Sequence, residues 1–74
     1  LDPTYPVAYY KRGRAYGDLA QYQRSIEDLD NAIQIEPNLA EAYVGRGWAY
    51  EELGQKAKAE ADFAQACFLK SELC

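Results

Sequence analysis

The chain has 74 residues and a net charge of −4, which makes one small domain near the limit at which a single core sustains itself. The negative balance argues against nucleic acid, whose phosphates need a surplus of Lys and Arg on one face. No apolar run approaches the roughly 20 residues of a membrane span, and the absence of histidine removes a common general base and a common zinc ligand.

In chain order, Leu1-Asp2-Pro3 reads like Ile35-Glu36-Pro37, so residues 1–5 look like the tail of a preceding unit and the chain like an excerpt of a longer protein. A first helix is predicted near 6–19: Pro6 suits its start, where a missing N–H costs nothing, and Tyr9, Gly13 and Tyr16 follow at helical spacing. The pattern changes phase at Leu19 to Gln21. A second helix near 22–36 carries Ile26, Leu29 and Ile33, and Pro37 closes it, with Asn38 placed to cap the next helix. A third helix near 39–53 ends at Gly54, where a left-handed residue is often needed. The fourth is predicted near 55–71. Ser71 stands where a closing proline would be, so this helix is expected to run on towards Cys74. Seven residues apart on one helix, Cys67 and Cys74 would lie roughly 10 Å apart, beyond the reach of about 7 Å for a disulfide. Both are therefore read as reduced thiols, which suits a cytoplasmic protein.

The two halves repeat. A shift of 34 residues aligns Ala8-Tyr9 with Ala42-Tyr43, Arg12-Gly13 with Arg46-Gly47 and Ala15-Tyr16 with Ala49-Tyr50. The same shift matches Leu19 with Leu53, Asp28 with Asp62, Ala32 with Ala66 and Pro3 with Pro37. A fixed period of this size marks a helical solenoid, with units over 6–39 and 40–73. Small residues fall where paired helices would cross: Gly13 and Ala15 opposite Ser25 and Ala32, then Gly47 and Ala49 opposite Ala59 and Ala66. A glycine costs about 1 kcal/mol inside a helix, so its recurrence asks for close helix packing. Tyr9, Tyr16, Leu29 and Ile33, with Tyr43, Tyr50, Phe63 and Leu69, would fill the space around these contacts.

Tyr9, Arg12-Gly13, Tyr16, Ser25, Leu29, Ala32 and Pro37, with their counterparts Tyr43, Arg46-Gly47, Tyr50, Ala59, Phe63, Ala66 and Ser71, resemble the tetratricopeptide repeat. The resemblance implies an all-α fold: an α-α superhelix of four antiparallel helices, arranged as two stacked helical hairpins. Arginine stands where the family has leucine in both units. Each arginine is followed sixteen residues later by aspartate, which predicts structural ion pairs of Arg12 with Asp28 and Arg46 with Asp62, or of Asp28 with Arg46 across units.

The resemblance also implies a protein-binding scaffold whose first helices line a concave groove for a peptide or partner helix. Mapped onto this chain, that face carries Val7, Tyr10, Lys11, Arg14 and Asp18, then Glu41, Val44, Gly45, Trp48, Glu51 and Glu52. Of these, Tyr10, Lys11, Arg14, Val44, Trp48 and Glu52 are the candidate partner contacts. Trp48 is the chosen anchor, because Tyr43 already fills the family's aromatic packing position; the alternative is that Trp48 only covers its neighbours in the stack. The family subtype that clamps the terminal carboxylate of chaperones uses asparagines that are missing here, with Gly45 at one such place. On this face the first unit carries the cations Lys11 and Arg14 and the second the carboxylates Glu41, Glu51 and Glu52, a split that favours a ligand of mixed charge. Self-association through an uncapped apolar end at Cys67, Phe68 and Leu69, giving a homo-oligomer, is the alternative. No glycine-rich phosphate loop or nucleophile with a matched base appears, so neither an enzyme, a cofactor nor a metal is expected.

Overall fold

The computed structural model describes residues 4–74; the reading of Leu1 to Pro3 as the tail of a preceding unit lies outside them. Four helices follow one another: α1 (Pro6–Asp18), α2 (Tyr22–Ile35), α3 (Ala40–Glu52) and α4 (Lys56–Leu69), then a single 3-10 turn over Ser71–Leu73. α1 packs along α2 and α3 along α4, each pair forming a hairpin; α2 against α3 joins the hairpins, and α1 touches α3 more lightly.

Identical backbone devices end the first helix of each hairpin. The amide of Gln21 donates to Tyr16 O and that of Ala20 to Gly17 O, at 2.9 and 3.0 Å; Gln55 to Tyr50 O and Gly54 to Glu51 O repeat this at 2.9 and 3.0 Å. The two nested bonds form a Schellman closure around a left-handed residue, here Ala20 at φ 60° and Gly54 at φ 78°. α3 starts without the side-chain cap expected of Asn38: Leu39 holds the N-cap position, and no side chain caps the helix.

Packing centres on Leu29, fully buried with Ala32 and Ala42, while Tyr9, Tyr10, Ile33 and Leu39 close in around them. A β-carbon on Gly13 would stand 2.9 Å from Leu29 Cγ, and one on Gly47 would stand 2.7 Å from the Phe63 ring. The glycines thus make room for the large side chain of the facing helix, more than for the small residues expected opposite them. Ala49 is buried but its counterpart Ala15 is exposed, because only Ala49 has a preceding hairpin to cover it among the described residues.

The end of α4 departs from the expectation. Lys70 is extended (φ −149°, ψ 101°) and stops the helix at Leu69, so the chain turns back without proline. That turn brings the Cα atoms of Cys67 and Cys74 to 4.5 Å, and the two are joined in a disulfide. The reading of both as reduced thiols assumed an unbroken helix, and the turn removes that assumption.

Candidate functional site

An open cavity of about 430 Å³ is lined by the C-terminal halves of α1 and α3 and by the first turn of α2. Helical spacing sets Arg14 and Asp18 four apart on α1, and Gly45, Trp48 and Glu52 at intervals of three and four on α3, so each set shares a face. Glu51 completes the α3 wall, and Tyr22 and Ser25 come from α2. Trp48 is 59% exposed. One guanidinium and three carboxylates therefore surround an indole that faces water.

Of the residues selected from sequence, Arg14, Trp48 and Glu52 meet at this cavity, while Tyr10, Lys11 and Val44 do not line it. Tyr10 is half-buried against the Leu29 cluster. Its hydroxyl accepts a bond from Arg14 Nη1 at 3.5 Å, and the guanidinium lies 6.0 Å from the ring centroid. Tyr10 thus positions Arg14. Glu41 is also occupied elsewhere: Lys70 Nζ donates to its Oε2 at 2.9 Å, which holds the Glu41 carboxyl below its usual range and the Lys70 ammonium above its own. Gly45 packs inward, since a β-carbon there would lie 3.2 Å from Leu29 Cδ1. Tyr22 and Ser25 were not assigned to the groove from sequence, where Ser25 was read only as a small residue at the helix crossing. Their only signal was the shortness of the Leu19–Gln21 link, which keeps the start of α2 beside the end of α1.

Two further arginines, Arg12 and Arg46, are held by carboxylates of other helices. Arg12 Nε and Nη2 donate to Asp28 Oδ2 and Oδ1 at 2.7 and 2.8 Å. Arg46 makes the same fork to Asp62, at 2.9 and 2.8 Å. Its third nitrogen, Nη1, reaches Asp30 Oδ1 at 2.9 Å, so the link between units runs to Asp30, and Asp28 stays with Arg12. Hydrogen bonding to Asp28 and to Asp62 raises the respective guanidinium pKa values further above their ordinary range. Asp28 and Asp62 are only 4% and 5% exposed, and a bidentate guanidinium is the partner that such buried carboxylates require. Tyr43 and Tyr50 flank Arg46, with ring centroids at 5.6 and 5.9 Å.

Among the described residues no cluster of metal-binding side chains occurs, and no helix is long and apolar enough to cross a membrane.

Two family profiles match: one described as TPR repeat over residues 15–54, more than half of the chain, and one described as Tetratricopeptide repeat over residues 40–72. Among solved structures, a crystal structure of MamA superposes with a TM-score of 0.89 at 32% identity, covering 97% of this chain and 42% of that one. A second crystal structure of MamA protein gives 0.86 at 32% identity, covering 97% of this chain and 39% of that one. The chain thus spans about two-fifths of the length of these neighbours. No protein of curated function matches in sequence.

Proposed function

The chain belongs to the tetratricopeptide repeat family, and from that premise we propose that it is a protein-binding scaffold, built of units 6–39 and 40–73, that holds a peptide or partner helix in the groove between α1 and α3. One observation carries the reading: the 59% exposed Trp48 at the wall of the cavity it shares with Arg14, Asp18, Glu51 and Glu52. Tryptophan and arginine are the side chains most often found to dominate binding energy at interfaces. The three carboxylates beside one guanidinium favour a ligand of mixed charge, with a basic residue near its anchor. Capture of a chaperone's carboxylate tail is disfavoured, since those carboxylates repel an acidic end and Gly45 is committed to Leu29. No catalytic role is proposed.

Peptides selected from a randomised displayed library on the folded chain supply the test. Their binding should shift Trp48 fluorescence, and Trp48→Ala and Arg14→Glu should each weaken it at least about tenfold, the scale of an interface hot spot, with the thermal melt unchanged. Peptides that bind both variants as tightly as the parent chain would exclude the groove.

A second reading, self-association, rests on Phe68, which is 83% exposed near the end of α4. Cys67 and Leu69 are half-buried, which leaves Phe68 the main apolar contact at this end. Light scattering across a concentration series separates the readings: a dimer abolished by Phe68→Ser favours self-association, and a constant monomer mass removes it.

A further inference from the structure

The joint after α4 repeats the joint between α2 and α3. Glu36 and Lys70 are both extended, at φ −133°, ψ 90° and φ −149°, ψ 101°. Each leads into a turn closed by a backbone bond, Leu39 N to Glu36 O at 3.1 Å and Leu73 N to Lys70 O at 2.9 Å. In the 34-residue register Cys67 corresponds to Ile33 and Cys74 to Ala40. The turn therefore folds position 74 back onto position 67, with Cα atoms 4.5 Å apart and within disulfide range. At the first joint, packing holds the turn: the Tyr43 hydroxyl donates to Pro37 O at 2.9 Å, and Leu39 lies on the Leu29 cluster. At the second joint Ser71 takes the place of Pro37. The nearby Lys70–Glu41 pair is exposed on both sides, at 45% and 40%, and such pairs contribute little. The disulfide is the strong tie there.

We infer that Cys67 and Cys74 form a reversible thiol–disulfide site, a clasp that fixes the Lys70–Leu73 turn on α4 when oxidised and frees it when reduced. Cys74 is exposed and Cys67 half-buried, so a small thiol reaches the bond. In reduction, a low-molecular-weight thiolate attacks Cys74 Sγ, the S–S bond breaks, and Cys67 leaves as a thiolate and takes a proton from water. A second small thiolate attacks the mixed disulfide, forms a small-molecule disulfide, and releases Cys74, which is protonated in turn. Two electrons and two protons pass from two small thiols to the protein, and oxidation by a small-molecule disulfide reverses every step.

The test equilibrates the folded chain in glutathione buffers from fully reduced to fully oxidised, traps free thiols by alkylation, and counts them by mass spectrometry. Hydrogen exchange of the Leu73 amide is followed in the same samples. Two alkylated cysteines are expected at the reducing end and none at the oxidising end. The Leu73 amide should exchange at least tenfold faster after reduction, while that of Ala32 stays unchanged. Free thiols that persist in oxidised glutathione overturn the site, as does a bond that survives reduced glutathione throughout. Equal Leu73 exchange in the two forms overturns the clasp. A Cys67→Ser, Cys74→Ser double variant provides the permanently open reference: its Leu73 exchange should match the reduced chain, and a match to the oxidised chain contradicts the inference.

Discussion

At φ 60°, Ala20 occupies the left-handed region, where a β-carbon crowds the following carbonyl at a cost of roughly 1–2 kcal/mol. Its counterpart Gly54 sits at φ 78° in the same Schellman closure with nothing within 4 Å of where a β-carbon would be. The difference between the two turns is therefore a backbone effect, free of packing. Ala20→Gly should stabilise the chain by about 0.5–1 kcal/mol once the greater freedom of glycine in the unfolded state is subtracted, and Gly54→Ala should cost about as much. Urea unfolding of both variants checks the pair, and a loss of stability in Ala20→Gly would contradict it. Gly54 was legible in the sequence because glycine announces such a turn. Ala20 was not, because its conformation is imposed by the hydrogen bonds of the closure and leaves no mark on residue type. Cys67 and Cys74 were misread for a related reason: their separation depends on a backbone turn at Lys70 that no proline or glycine signals.

Arg46 joins three helices, since it lies on α3 and bonds Asp62 of α4 and Asp30 of α2. The two acids differ in what they contribute. Asp62 is buried and Asp30 is about half exposed, its side chain 51% accessible. Removing the guanidinium strands a buried carboxylate, which costs about 3 kcal/mol or more. Removing Asp30 deletes a solvated pair worth less than about 1 kcal/mol. Arg46→Ala should thus destabilise the chain several times more than Asp30→Ala, in urea or thermal unfolding. Equal losses would mean that the tie between units outweighs the tie within one. At this scale the sequence was informative, because a 16-residue Arg–Asp spacing repeated in both units selects Arg12 with Asp28 and Arg46 with Asp62. The third contact was hidden, since Asp30 has alanine as its counterpart, Ala64, and so escapes any search by repeat.

Over the whole molecule, the family resemblance assigned Arg14, Trp48 and Glu52 to one groove, while periodicity told only which residues share a helix face. It could not tell which of those faces the second helix would also reach, so Tyr22 and Ser25 joined the cavity unannounced and Tyr10 left it for the core. The same distinction, between position in a unit and position in the stack, governs stability. Leu29 and Phe63 hold one repeat position, each opposite the glycine of its own hairpin, Gly13 or Gly47. Leu29 also receives Gly45 from the next hairpin, with a β-carbon distance of 3.2 Å to its Cδ1, and is 0% exposed. Phe63 has no following hairpin among the described residues and stays half-buried. Leu29→Ala should therefore cost about 3–4 kcal/mol, within the range for fully buried leucines, and Phe63→Ala about half as much despite the larger side chain. A 74-residue chain holds about 4–11 kcal/mol in total, so the first change removes a large share of it. Because Leu29 touches both hairpins, its loss should lower the urea midpoint of the whole chain in one transition with the slope preserved. Two resolved transitions, or a larger loss from Phe63→Ala, would show that the hairpins fold independently and that the α2–α3 contact does not couple them.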